Sequence, residues 1–199
     1  MDLGVDEGDL IRWSRTTARE MLTDVGTRLA HVESVGRRAE QVAEVLPTED
    51  RVPLIAAAYL HDVGYSPARR VTGLHPLDGE RWLRAQGVDR RVCNLVAHHS
   101  GARFEAEECR LLAELEEFDL ELGPVMDALV FADMTTGPDG GHVRFEERLD
   151  EILTRYSPDD PVHRAILRAR PSLADSFERA AQRLADAAHP MYGAGRASR

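Results

Sequence analysis

Lysine is missing from this sequence: all 25 basic residues are arginine. That excludes amine chemistry by lysine and leaves any phosphate clamp to arginine, backbone N–H groups or a bound cation. Cysteine is scarce. Cys93 and Cys109 are too few for a disulfide framework, and reduced thiols in a cytoplasmic protein are the expectation. No apolar run approaches the ~20 residues that a membrane-spanning helix needs. The acidic opening Met1-Asp2-Leu3-Gly4-Val5-Asp6-Glu7 is also unlike a basic signal peptide. Membrane partners are therefore not expected. The net charge of −10 argues against binding a nucleic acid duplex, which needs a basic face to neutralise phosphates. Alternating strand patterns, internal repeats and dividing linkers are lacking too.

What fills the chain is helical periodicity, so an all-α bundle is expected. Asp9 to Leu22 reads as a first helix, and Thr27 to Leu46 as a second, stopped by Pro47. The second carries Val32, Val35, Ala39, Val42 and Leu46 on one face, with His31 at the edge of that stripe. A third helix opens near Thr48-Glu49-Asp50 and is apolar nearly all round up to Leu60, which marks it as central. His75-Pro76 opens a fourth, and Val88, Val92, Leu95 and Val96 form a stripe leading to His98-His99. Residues 102 to 124 read as a short helix and a solvated acidic connection. Met126, Leu129, Val130 and Asp133 share a face of the next helix, and a turn-rich loop, Thr135 to Gly141, follows. Val143 to Tyr156 and Val162 to Ala169 read as helices, with a break at Arg170-Pro171 before a last one. The tail 189–199 is expected to be disordered.

Polar groups interrupt this apolar pattern at telling places. The run Ala57-Ala58-Tyr59-Leu60 ends in His61-Asp62, and Asp133 lies inside an apolar stripe. A buried carboxylate needs a cation or several donors, and imidazole with carboxylate is a common metal-binding set. On an ideal helix His99 falls within the apolar stripe and His98 at its margin.

The order of His31, His61-Asp62, His75, His98-His99 and Asp133 resembles the HD-domain metal-dependent phosphohydrolase superfamily over roughly residues 27 to 140. Gly73-Leu74-His75-Pro76-Leu77-Asp78-Gly79 and Ala97-His98-His99-Ser100-Gly101 look like the extra ligand segments of its dinuclear members. The resemblance implies a single helical domain over 1–188, with a metal site between the central helices, an HD core at about 27–140 and C-terminal helices at 141–188. It implies His31, His61, Asp62 and Asp133 around a first divalent ion, with Asp62 bridging to a second held by His75 and His98. It ranks His98 above His99, which is kept as an additional ligand. Iron or manganese is favoured; zinc, cobalt and magnesium also suit such donors. His61 and Asp62 are the expected catalytic pair. The cations nearest to ligand segments, Arg69, Arg70 and Arg103, are the expected substrate-binding residues. The implied activity is hydrolysis of a phosphoester or phosphoanhydride in a small phosphorylated metabolite such as a nucleotide. Two alternatives stand beside it: a mixed-valent di-iron oxygenase on the same ligand set, and a nucleotide-binding regulatory protein. The Gly-Tyr-Pro signature of cyclic di-nucleotide phosphodiesterases is absent after His98-His99.

Overall fold

The computed structural model describes residues 7–189, so most of the expected disordered tail lies outside the described residues. Ten α-helices and two short 3-10 turns follow one another, and no β-strand occurs among the described residues. The helices are α1 (Glu7–Leu22), α2 (Arg28–Ala43), α3 (Thr48–Leu60), α4 (His75–Ala85), α5 (Arg90–His98), α6 (Ala102–Cys109), α7 (Leu112–Leu115), α8 (Pro124–Met134), α9 (Phe145–Arg155) and α10 (Pro161–Ala188). No helix among the described residues is long and apolar enough to cross a membrane. Cys93 and Cys109 are both free thiols.

The all-round apolar helix α3 is the centre. Every residue from Leu54 to Leu60 is buried, and α1, α2, α5 and α8 pack around it. The stripe Val32, Val35, Ala39 and Val42 is the face α2 turns inward. Gly36 lies on that face because a Cβ there would run into the ring of the buried Tyr59. The helices therefore approach closely, and the Tyr59 hydroxyl reaches Glu40 at 3.0 Å while Arg15 donates to Tyr59 at 3.0 Å. Gly64 serves the same purpose just beyond α3. A Cβ there would meet the His75 carbonyl oxygen and the backbone of Gly79, so only glycine lets α4 lie against the chain leaving His61-Asp62.

Three expectations need correction. Pro47 does not stop α2, which ends at Ala43; it is the N-cap of α3, where its missing N–H costs nothing. Asp89 caps α5 by accepting from Arg91 N at 2.9 Å, so that helix starts after Val88. Arg170-Pro171 does not break the last helix, because α10 is continuous from Pro161 to Ala188. Proline removes a donor to the carbonyl of Leu167, and Leu167 and Pro171 both lie on the exposed side, where water serves the carbonyl. Buried Ala165, Ala169, Leu173 and Ala180 hold the helix down on either side of it. Further along, Arg179 and Arg183 clasp the buried Asp127 of α8 at 2.7 and 2.8 Å.

Asp78, on the first turn of α4, is a buried carboxylate that accepts from Val71 N, Thr72 N, Thr72 Oγ1 and Gly73 N at 2.9 to 3.1 Å. It ties the loop before α4 to the helix that presents His75. Glu80, two residues on, is fully buried and neither carboxylate oxygen has a hydrogen-bond partner, with Arg84 Nε 3.7 Å away. Burial pushes its carboxyl up to about 7.

Two outcomes follow from these contacts. Gly64→Ala should destabilise the fold by roughly 1–3 kcal/mol, because backbone and not a flexible side chain must give way; chemical denaturation measures it. Glu80 has a folded value above its ordinary 4.5, so its stabilising neutral form is fully present below about pH 4.5 and is lost as pH rises through 7. Glu80→Gln should therefore match wild type near pH 4.5 and exceed it by roughly 1–3 kcal/mol at pH 8, read from melting curves across that range.

Candidate metal centre

Three helices end at one place. α3 stops at Leu60 and hands the chain to His61-Asp62; α5 stops at His98, just ahead of His99; α8 carries Asp133 in its last turn. His31 arrives from the first turn of α2, and His75 is the first residue of α4. His61 and His99 each follow directly on a helix end, and both rings fold back onto the turn before them.

The ring nitrogens show a repeated pattern. His61 Nδ1 donates to the Ala58 carbonyl at 2.8 Å, His99 Nδ1 to the Val96 carbonyl at 2.7 Å, and His31 Nδ1 to the Gly137 carbonyl at 3.0 Å. Each bond fixes the ring and leaves Nε2 as the lone-pair atom, which is how backbone carbonyls prepare histidine to ligate a cation. The three Nε2 atoms point inward. His31 Nε2 faces Asp133 Oδ1 at 3.1 Å, and His99 Nε2 lies 3.2 Å from His75 Nε2. His75 Nε2 lies 3.3 Å from Asp62 Oδ1, and His61 Nε2 lies 3.4 Å from Asp62 Oδ2. The ligating atoms of His31, His61 and Asp133 fall within 4.8 Å of one another, as do those of His61, Asp62 and His99. His61 belongs to both groups.

This donor set fits a divalent cation. His61, His31, Asp62, His99 and Asp133 are all buried, so lone pair faces lone pair in a low-dielectric place. His61 Nε2, in the middle of the group, is a buried nitrogen with no hydrogen-bond partner. Oxygen and imidazole donors around it match iron, manganese or zinc.

The charges are held by specific neighbours. Burial works against ionised Asp62, but the Arg28 guanidinium, 2.8 Å away, with His61 and His75, keeps the carboxyl well below its ordinary range. Burial likewise opposes ionised Asp133, and its bond to His31 with the charges of His61 and Arg148 brings the carboxyl down. Ser100 donates its hydroxyl to Asp133 Oδ2. The serine backbone is left-handed, with φ +43°, a strained conformation that this hydrogen bond helps to hold. Burial disfavours a charged His61, yet Asp62 and Asp133 together push it up to about 8. His99, buried and beside His61 and His75, goes down to about 3. The carboxylates thus call for positive charge at the centre of the group.

The structure brings together His31, His61, Asp62, His75 and Asp133, with His99 completing the ring. It does not bring in His98. That side chain turns outward, its Nε2 2.9 Å from the Phe118 carbonyl, and burial pushes it down. The expected order of the pair is therefore reversed. His99 is buried, on the side where the helical projection puts it, and the ranking of His98 above it came from the resemblance alone. The three expected substrate arginines are elsewhere too. Arg69 stacks on Trp82 with its guanidinium 5.2 Å from the ring centre, in a separate hollow beside Trp13. Arg70 is exposed on the loop, and Arg103 pairs with Glu107 and Glu116 at 3.5 Å each. The hollow over the metal cluster is lined instead by Arg28, Arg148 and Arg155, and holds about 550 Å³ counting its solvent-open mouth.

Sequence reasoning missed four groups. Arg28 stands three residues before His31 on one helical face, a signal that was there to read. Tyr65, stacked on His75 with ring centres 4.0 Å apart and covered by Arg28, was also within reach, three residues after Asp62. Ser100 needed knowledge of the backbone turn. Arg148 sits on α9, where no local pattern singles it out.

Comparison with known proteins bears on the same residues. Two curated relatives are tRNA (cytidine(56)-2'-O)-methyltransferases: that of Picrophilus torridus is 31% identical over 84 residues, and that of Thermoplasma volcanium 37% identical over 79. The matches take in 42% and 39% of this chain but only 24% and 22% of those proteins, so the chain spans about a quarter of their length. No solved structure matches. The family description that matches is the HD domain, over residues 28–128, which is half of the chain and runs from Arg28 to the middle of α8. On that match the chain belongs to the HD domain family, within a superfamily of metal-dependent hydrolases whose domains bind divalent metals.

Proposed function

We propose that this protein is a metal-dependent phosphohydrolase that cleaves a phosphoester or phosphoanhydride bond in a small phosphorylated metabolite, a nucleotide being the leading class. The observation that carries the reading is the sharing of His61 between two buried His/carboxylate groups, with three histidines already committed through Nδ1 to backbone carbonyls. His31, His61 and Asp133 would hold one ion. Asp62 and His99, with His75 beside them, would hold a second. When bound, divalent cations supply the Lewis acidity that lowers the pKa of a water and offsets charge on a phosphoryl group.

The chain's own residues have definable roles. Asp62 is the carboxylate common to His61 and His75, and Arg28 keeps it ionised and oriented. Ser100 fixes Oδ2 of Asp133, leaving Oδ1 facing the His31 Nε2 lone pair. Tyr65 and Arg28 wall the side of His75 and restrict water there. Methyl transfer, the activity named for the two relatives, is not carried over, because the matched stretch is about a quarter of those proteins and nothing in a His/carboxylate cluster serves it.

Protein loaded with manganese or iron should release inorganic phosphate from members of a nucleotide panel and lose that activity with chelator. Asp62→Asn keeps shape but removes the negative charge that offsets the cations. It should lower metal content and reduce turnover by about 10²-fold or more. Ligand binding to the folded state alone adds RT ln(1 + [L]/Kd), about 2.7 kcal/mol at a hundredfold excess over Kd, so chelation should lower the melting temperature of wild type and hardly that of Asp62→Asn. Full metal content in Asp62→Asn with an unchanged wild-type melt would remove the site. Absence of phosphate release together with substrate-dependent oxygen uptake by an iron-loaded sample would replace hydrolysis by oxygenation.

The two adjacent histidines give a second measurement. His99→Ala should lose metal and activity together, while His98→Ala should retain metal, since its ring is hydrogen-bonded to the Phe118 carbonyl away from the cluster. Elemental analysis of both variants decides it.

A further inference from the structure

The hollow above the cluster is closed by residues that lie beyond the matched family region, which ends at residue 128. Arg148 and Ile152 come from α9, Tyr156 follows that helix, and Val162 and Ile166 come from α10. Arg148 is the unusual member. Its side chain is 5% exposed. One end pairs with Glu151 and the guanidinium reaches within 4.0 Å of Asp133, but its Nε–H is buried without an acceptor. A buried guanidinium donor left unpaired is costly, so such a donor beside a cavity marks a place for an acceptor. Arg28 and Arg155 line the same space. Against these three cations stand Asp62, Asp133 and Glu105, of which the first two belong to the metal cluster, and Glu151, which pairs with both Arg148 and Arg155 from behind. The rest of the C-terminal wall is apolar: Ile152, Val162 and Ile166 contribute hydrocarbon, with Tyr156 beside them.

We infer that α9 and α10 form the specificity half of the site: Arg148, assisted by Arg155, binds the phosphoryl oxygens of a phosphate monoester, and the Ile152–Val162–Ile166 wall takes a compact non-polar group attached to it. This rests on the phosphohydrolase reading for the reaction but concerns recognition alone. A guanidinium fork suits the paired oxygens of a phosphoryl group, and its charge-assisted bonds are the strong ones in a buried place. The free interior of the hollow is only about 70 Å³, which limits the group carried by the phosphoryl to a compact one. The wall disfavours a second charged group, which would lose its hydration there without a partner. Substrates with one phosphoryl group on a compact aromatic or aliphatic body should therefore exceed polyphosphates.

The test is equilibrium binding, measured by titration calorimetry on manganese-loaded full-length protein, with phenylphosphonate and methylphosphonate as non-hydrolysable probes and metal content measured on every sample. Wild type should bind both, the phenyl compound at least about fivefold more tightly. Arg148→Met should weaken both by about ten- to a hundredfold with its metal retained. Ile166→Ala should remove most of the phenyl preference and leave methylphosphonate affinity unchanged. Should Arg148→Met lose metal or fail to fold, Arg155→Met reads the same subsite from a residue that makes no contact with the cluster, and should weaken both probes by about threefold or more. The inference is overturned by metal-loaded wild type that binds neither probe, by Arg148→Met or Arg155→Met at wild-type affinity, or by an unchanged phenyl preference in Ile166→Ala. If the probes bind in the Arg148-dependent way while no phosphoester is hydrolysed, the recognition site stands and the reaction assignment falls.

Discussion

Two ionised carboxylates inside an apolar helical bundle set the terms for everything around them. Asp62 and Asp133 are nearly as buried as the leucines beside them, and removing such charges from water costs several kcal/mol each unless opposite charge or donors replace the water. The neighbours divide that task. Arg28 binds Asp62 from outside the histidine ring, Ser100 donates to Asp133, and Arg148 stands behind it. Each of those partners must then be held in turn. That is why a strained serine, a tyrosine stacked on a histidine and a close glycine contact all occur within one small region.

The scaffold supplies this precision by close packing of backbone more than by long side chains. Gly36 brings α2 against Tyr59 of α3, and Gly64 brings α4 against the chain beyond α3, so His31 reaches His61 and His75 reaches Asp62. Asp78 restrains the loop that leads into α4. At the far side, α10 is fastened to α8 by Arg179 and Arg183 on Asp127 and to α6 by Arg164 and Arg168 on Glu107 and Glu108. Its length lets one helix tie the ends of the bundle together, and Pro171 is accommodated because the carbonyl it deprives faces water.

The sequence was most informative where periodicity and chemistry coincide. The uninterrupted apolar character of α3 pointed to its central place, and carboxylates inside apolar stripes pointed to Asp62 and Asp133. His31 at the edge of the α2 stripe was legible for the same reason. Spacing also held at the end of α5: the helical projection put His99 on the inward face, and only the resemblance ranked His98 above it, although the His98 ring reaches the Phe118 carbonyl instead. Nearness along the chain also misled: Arg69, Arg70 and Arg103 flank ligand segments but face other surfaces. Arg148, more than eighty residues after Asp62, shares the hollow with it only because α9 folds back over α8.

The meeting of α3, α5 and α8 at their C-terminal ends has one more consequence. Each end carries the negative pole of its helix, equivalent to roughly half a negative charge, and here the three lie near two carboxylates. The direction in which three helices run therefore adds to the pull of the carboxylates on a cation at the floor of the hollow, while Arg28, Arg148 and Arg155 line its wall with the opposite sign.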